Sequence, residues 1–446
     1  ALASCAGDYD DWANPQANEQ EASAAKYGVT FANGSEAEGS MADEDGIINL
    51  VTVNSTDANV SGFTLKDLKV NGVAVNGTMV GDSVQVSASE LEKLVCEQNK
   101  SRASVARDLK VETQVSINLA SGDAVSITNK GETTGKFTPT ATPQLDKKGY
   151  YMLGQVNGNE WDAKSPVWMN KISDGVYQLK VTTTADKNWF KFYAGSNFVS
   201  EDWDSINKGA LGCKENGSED TFGYILYDGD SWGKLQTPVI PGAGTWIVTL
   251  DMNNLTYTVG KPVLYMKGDA NGWDGYDYLS GDDGVHFTGY MYLNQNGFKF
   301  CTQKDWKGTN YGANFDTAQD AGNIVMTEPA GYYKVEVDLS AKTYTLYPIT
   351  SISMIGDATP GGWDADTDLT YNATERCWEI KDVHLEAKEL KFRSNHSWDD
   401  PNPNWGGTPD ALVQKGGNIK VAEDGKYDVK LYAWANGYAK CELIKK

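Results

Sequence analysis

Tyr151-Met152-Leu153-Gly154, Tyr265-Met266-Lys267-Gly268 and Ser353-Met354-Ile355-Gly356 are three versions of one short apolar run that ends in glycine. A Trp-Asp pair follows each: Trp161-Asp162, Trp273-Asp274 and Trp363-Asp364. Further on, each copy carries a cation between apolar residues, in Phe190-Lys191-Phe192, Phe298-Lys299-Phe300 and Leu390-Lys391-Phe392-Arg393. Each closes on Gly-x-aromatic and then alternation: Gly244-Thr245-Trp246, Gly331-Tyr332-Tyr333 and Gly425-Lys426-Tyr427. The copies begin near residues 150, 264 and 352. Their period of roughly 90–115 residues is that of a domain, well above the roughly 20–50 residues of solenoid and propeller units.

Strands of alternating character recur in every copy, as in Tyr177-Gln178-Leu179-Lys180-Val181, Trp246-Ile247-Val248-Thr249-Leu250 and Tyr427-Asp428-Val429-Lys430-Leu431. Helical periodicity is almost absent, so each copy is expected to form a two-sheet antiparallel sandwich of immunoglobulin-like type. The fold class is therefore all-β, with tandem sandwiches. Period-2 alternation sends Leu390 and Phe392 into the core and leaves Lys391 and Arg393 facing solvent or a ligand.

Residues 26–138 form a different unit. Segments such as Val73-Ala74-Val75 and Val115-Ser116-Ile117-Asn118-Leu119 read as strands, with turns at Asn71-Gly72 and Ser121-Gly122. One helix is expected to start at Ser89 as cap, with Glu92 as capping-box partner, and to run to about Gln98. The unit has no Trp and is read as a spacer. Thr138-Pro139-Thr140-Ala141-Thr142-Pro143 is a stiff linker. The expected division is a tether over 1–25, the spacer over 26–138, and modules over 149–260, 261–348 and 349–446. The later joints, at Lys261-Pro262 and near Tyr347-Pro348, are short enough to restrict module orientation.

The chain has 446 residues and a net charge of −22. A nucleic acid or anionic lipid surface is a poor partner for that charge. No apolar run approaches the length of about 18 residues that a spanning helix requires. The six cysteines are scattered with no CxxC and no zinc spacing. They read as buried thiols, with Cys377 and Cys441 the one pair that falls in a single module. The three histidines share no motif, and no GxSxG, HExxH or P-loop occurs. Asp228-Gly229-Asp230 and Asp282-Asp283 read first as turn residues, with a calcium site as the alternative. No catalytic residue, metal or cofactor is expected.

Aromatic residues in polar loops point to a different chemistry. After the cation strand, the third copy reads Ser394-Asn395-His396-Ser397-Trp398 and then Asn404-Trp405-Gly406-Gly407. The second reads Lys304-Asp305-Trp306 and then Asn310-Tyr311-Gly312. The first has Gly195-Ser196-Asn197 and Trp203-Asp204. A sugar ring has a flat C–H face that an indole covers, and a hydroxyl rim that Lys, Arg and Asn can bond. Trp203, Trp306, Trp398 and Trp405 are therefore expected to face ligand, with Asn395 as an amide contact.

At the extreme start, Leu2-Ala3-Ser4-Cys5 resembles a bacterial lipobox, in which Cys5 would be lipidated. The acidic Gly7-Asp8-Tyr9-Asp10-Asp11 that follows resembles a surface-export signal. These features, with the spacer and three modules, resemble the SusE and SusF family of Bacteroidetes outer-membrane starch-binding lipoproteins. One spacer plus three modules is the SusF type of layout.

The resemblance implies a non-catalytic, lipid-anchored protein on the extracellular face of the outer membrane, binding an α-glucan polysaccharide or oligosaccharide. By motif position it makes Trp161, Trp273 and Trp363 platforms, and Lys191, Lys299 and Arg393 their cations. Asn323 and Asn418 match the amide-bearing segment; the first copy has only Gln236 nearby, and Cys301 stands where Arg393 does. A TonB-dependent transporter complex is implied as companion. Another neutral polysaccharide such as dextran, or a structural role as a protein-binding subunit, are the alternatives.

Overall fold

Alternation along the strands decides which side chains meet. In Gly244–Asp251, Trp246, Val248 and Leu250 are buried while Ile247 and Thr249 lie half-open on the other face. In Gly425–Tyr432, Tyr427, Val429 and Leu431 are buried in the same way. Repetition of this pattern gives an all-β chain, seen in a computed structural model that describes residues 25–40, 46–140, 142–273 and 277–446. The lipobox with Cys5, nearly all of the tether, and Asp274 lie outside the described residues. Among the described residues, no helix is long and apolar enough to cross a membrane. Two compact units emerge: residues 1–145 with 251–256, and residues 146–250 with 257–446.

In the first unit, a four-stranded and a five-stranded sheet enclose a core of Leu50, Val53, Val70, Val84, Val111 and Phe137. The helix Ala88–Asn99 buries Leu91, Leu94 and Val95 against this core. Its cap differs from expectation. Ser87 occupies the N-cap position and makes no side-chain cap bond, and Ser89 lies inside the helix. Glu92 is buried, and its Oε1 accepts from the Thr140 N–H and hydroxyl, each at 2.8 Å. Tertiary contact has diverted the carboxylate that would have closed a capping box. One pairing in this unit is parallel, between Glu38–Ser40 and Ala124–Thr138.

In the second unit, the first repeat is built of a six-stranded and a five-stranded sheet, and the third of a six-stranded and a four-stranded sheet. The second repeat departs from the two-sheet expectation. Its described strands form one seven-stranded sheet, because Asp277–Ser280 pairs with Val263–Gly268 on one side and touches His286–Leu293 through Ser280 and Thr288 on the other. Residues from both ends of that sheet, among them Met266, Phe298, Phe300, Val335 and Val337, still share one core. Bending the sheet buries both halves without breaking the ladder.

The second and third repeats also share a core. Tyr290 and Tyr332 belong to the third repeat's hydrophobic cluster, beside Trp378, Trp405 and Leu431. The Tyr290 N–H donates to the Trp434 carbonyl at 2.7 Å, and its hydroxyl donates to Asn436 Oδ1 at 2.9 Å. Arg376 reaches Asp277 at 3.2 Å, with the aspartate side chain 10% exposed. The short joint near Pro348 thus connects two bodies that already interlock.

Candidate functional site

The same pair of neighbouring strands opens the site in each repeat. We label them β1 (Tyr150–Gly154) and β2 (Lys187–Ala194), β3 (Val263–Gly268) and β4 (Phe298–Cys301), and β5 (Ile352–Gly356) and β6 (Glu389–Ser394). Each pair is antiparallel. Met152 faces Phe192, Met266 faces Phe300, and Met354 faces Phe392. All six are buried, so the intervening residues point to the opposite face of the sheet.

That outer face has two cross-strand rows. One holds Leu153 with Lys191, Lys267 with Lys299, and Ile355 with Lys391. The next holds Tyr151 with Tyr193, Tyr265 with Cys301, and Ser353 with Arg393. Lys391, not Arg393, is therefore the structural counterpart of Lys191 and Lys299. Arg393 occupies the place of Tyr193 and Cys301, a row in which charge belongs to the third repeat alone.

The third repeat shows the most developed arrangement. Trp363 and Trp398 are each 41% exposed. The Trp398 ring has Lys391 Nζ 5.1 Å and Arg393 Cζ 4.9 Å from its centroid, within cation–π range. Arg393 Nε donates to Asp366 Oδ1 at 2.8 Å, and a second guanidinium nitrogen donates to Oδ2. Ser353 Oγ also donates to Asp366. The Arg393 hydrogen bonds hold the Asp366 carboxyl below its ordinary range in spite of burial, and raise the guanidinium's affinity for its proton. Lys391 Nζ donates to the buried Asn404 Oδ1 at 3.1 Å, and burial lowers its pKa. The result is an indole with two fixed cations at its π-system.

Two residues of that loop have other work. Asn395 Oδ1 accepts from the Thr350 N–H and hydroxyl at 2.8 and 3.1 Å, while Nδ2 donates to the Pro348 carbonyl and Asn402. This amide clamps the loop to the inter-repeat joint, which corrects its expected role as a ligand contact. Trp405 is wholly buried and directly opposite Phe392, with its ring 5.3 Å from that of Tyr290. What read as a polar loop is the strand Asn404–Thr408, and pairing places its Trp on the core face. Asn418 is exposed and donates to Glu389 at 2.8 Å.

In the second repeat, the rings of Trp273 and Trp306 stack with centroids 6.3 Å apart and planes 28° apart. Trp306 is 40% exposed; Trp273 is half-buried. Lys267 Nζ stands 4.3 Å from the Trp306 centroid and donates to the Lys304 carbonyl. The sequence reading passed over Lys267, although it is the one charge in an opening whose counterparts are Leu153 and Ile355. Lys299 Nζ donates to the Ala321 carbonyl at 2.8 Å, bracing the following loop. Asn323 is exposed beside Gly297, one residue before the Phe298–Ile324 bridge. Trp273 and Trp306 have φ of 66° and 67°, a left-handed conformation costly for a bulky residue. Trp161 shares it at 63°, whereas in the third repeat Gly362 takes the turn and Trp363 is extended.

The first repeat replaces charge by aromatic packing. Tyr151 lies between Tyr193, stacked at 5.4 Å, and Trp168, tilted at 5.1 Å. Trp168 is 43% exposed, and the sequence reading missed it; Val167–Trp168 pairs with β1 and carries the ring to the open side. Trp161, expected as the platform, packs half-buried against the cluster of Tyr151, Leu153, Tyr193 and Ile206. Trp203 is 39% exposed on the helix Trp203–Lys208, whose cap is Asp202 accepting from the Ser205 N–H. Lys191 is half-buried, and its pKa is lowered mainly by that burial.

Exposed indoles recur in all three repeats, and in the second and third they stand beside a lysine or arginine. Residues 5–139 match the family described as "Outer membrane protein SusF, N-terminal domain", and residues 144–261 match "SusF, first starch specific CBM". The two matches adjoin and together cover more than half of the chain. Outer membrane protein SusF of Bacteroides thetaiotaomicron is 27% identical over 404 residues, covering 82% of this chain and 79% of that protein. The crystal structure of SusF from the same organism covers 93% of this chain and 99% of its own, with 22% identity and a TM-score of 0.47.

Proposed function

We propose that this chain is a non-catalytic outer-membrane protein that captures starch or a related α-glucan through several weak aromatic sites. The observation that carries the reading is Trp398, an exposed indole backed by Lys391 and Arg393 and accompanied by the equally exposed Trp363. A glucosyl ring offers its C–H face to such an indole, and its hydroxyls to the cation N–H groups. The second site uses Trp306, Trp273 and Lys299, with the buried Lys267 supporting the Trp306 ring; the first uses Trp168, Trp203, Trp161 and Lys191. Asn323 and Asn418 are the amides proposed to contact ligand in the second and third repeats. The family match to a starch-specific module and the SusF relative support starch as the ligand.

In this reading residues 26–138 are a spacer, and 149–260, 261–348 and 349–446 are the binding modules. Cys5 carries a lipid anchor on the extracellular face, the segment to residue 25 is a tether, and a TonB-dependent transporter receives the glycan. No cofactor is required. Linked weak sites raise avidity by roughly 10²–10⁴ when one polymer spans them.

Affinity electrophoresis of the chain lacking Cys5, in gels containing amylopectin, dextran or xyloglucan, tests this. Retardation by amylopectin that weakens stepwise as Trp168, Trp306 and Trp398 are replaced by Ala is expected. Retardation by dextran alone moves the ligand to an α-1,6-glucan. Unchanged mobility in every gel overturns the glycan reading in favour of a protein-binding subunit.

A further inference from the structure

Between the first and second repeats runs a cleft of about 630 Å³, within the roughly 300–1,000 Å³ of small-ligand pockets. One wall is the outer face of the first repeat's second sheet. Alternation would place polar residues there, yet Ile172, Val176 and Ile247 occupy it and remain only half-buried. The opposite wall is the hairpin segment 302–305 of the second repeat, including Gln303, and Tyr265 and the third repeat's Tyr438 also line the cleft. Apolar side chains that can cover a C–H face stand there beside amide and hydroxyl groups and the charged Lys261, Lys304 and Asp305, which can bond sugar hydroxyls.

The cleft approaches the second site through Tyr265 and the segment 302–305. Tyr265 lies on β3 two residues before Lys267 and on the same face, a separation of about 7 Å along a strand. The hairpin that forms the far wall carries Trp306 in its loop, and the Lys267 ammonium ties the Lys304 carbonyl to that ring. Tyr438 is 38% exposed and held edge-on against Tyr278 at 5.2 Å, a fixed aromatic wall.

We infer that this cleft is an extension of the second site, receiving further glucosyl residues of an α-glucan whose leading residues stack on Trp306. The inference rests on the glycan reading above and adds a length preference to it. The second site then discriminates long from short chains, and the seam between two repeats becomes part of the binding surface.

Isothermal titration tests this with linear α-1,4-gluco-oligosaccharides of three and seven residues. The full chain would carry Trp168→Ala, Trp203→Ala, Trp363→Ala and Trp398→Ala, which leave the second site as reporter, and its folding would be checked by circular dichroism melting. The heptasaccharide is expected to bind about tenfold more tightly than the trisaccharide, equivalent to about 1.4 kcal/mol. Ile247→Arg, which fills the cleft from the first repeat, and Tyr438→Ala should each bring that ratio close to one. An unchanged ratio in both variants, or no length preference to begin with, overturns the extension while leaving the second site standing. If this background binds neither sugar while the intact chain is retarded by amylopectin, the second site and its extension both fail. If the intact chain is not retarded either, the glycan reading itself fails.

Discussion

Arg393 and Asp366 form a two-bonded ion pair whose guanidinium carbon lies 4.9 Å from the centroid of the Trp398 ring. Both side chains are 13% exposed, so the pair is shielded enough for its geometry to hold. Removing one partner would leave the other charge poorly solvated. Asp366→Ala is expected to lower stability by about 1–3 kcal/mol, the cost of leaving a shielded donor unsatisfied, and to weaken the third site several-fold. Arg393→Lys should weaken that site as well, because an ammonium cannot reproduce the planar two-bond fork. Calorimetric melting and titration with a heptasaccharide, with the first and second sites disabled, check both.

Trp398 and Trp405 stand seven residues apart and should behave oppositely. Trp405→Ala removes a wholly buried ring and is expected to cost about 3–5 kcal/mol. Trp398→Ala removes an exposed ring and should shift the melting temperature little while abolishing binding at the third site. Equal losses of stability for the two would refute the assignment of Trp405 to the core.

Binding at the third site should respond to pH in a defined direction. Arg393 holds the Asp366 carboxyl below its ordinary range, so the pair's contribution is complete above the unfolded value and is lost only as pH falls through the lower folded one. Affinity should therefore stay level across the usual Asp and Glu range of about pH 3.9–4.3 and decline below it. On the alkaline side, burial lowers the Lys391 pKa, so affinity should begin to fall while an exposed lysine is still charged. Titrations of heptasaccharide binding on both sides of neutrality measure this; a drop centred in the ordinary carboxylate range would contradict it.

The seam between the second and third repeats should unfold as one. Asp277→Ala strips Arg376 of its carboxylate and is expected to cost about 3 kcal/mol. Because Tyr290 and Tyr332 sit in the third repeat's core, the two repeats should still melt in a single transition, shifted downward together. Separate transitions for the two repeats would show that the shared core is not cooperative.

The five described cysteines should be inert toward thiol reagents in the native protein. Cys96, Cys213, Cys301, Cys377 and Cys441 are all buried and free. Burial is the main cause that raises each thiol, to about 12 for Cys96 and Cys441 and about 11 for the other three. Ellman titration of the chain lacking Cys5 should report five thiols only after denaturation.

Much of this was legible along the chain. Three copies of one motif announced a repeated module, and period-2 alternation placed Phe190, Phe298 and Phe392 in cores with cations on the opposite face. Polar surroundings correctly marked Trp306 and Trp398 as exposed. Those features depend only on neighbours within a strand or a loop. Three other decisions did not. Trp405 entered the core because its strand lies beside β6, Asn395 was taken up by a joint some 45 residues earlier in sequence, and Glu92 was drawn from its helix cap by Thr140. Lys391 rather than Arg393 lines up with Lys191 and Lys299 because register, which is set across strands, decides which residues share a row. The sequence by itself determined the all-β character, the threefold repetition and which faces are apolar, since side-chain direction alternates within a strand. Only the tertiary structure decided which cation meets which ring and what lies at the seams, since those distances depend on chain segments that approach one another only after folding.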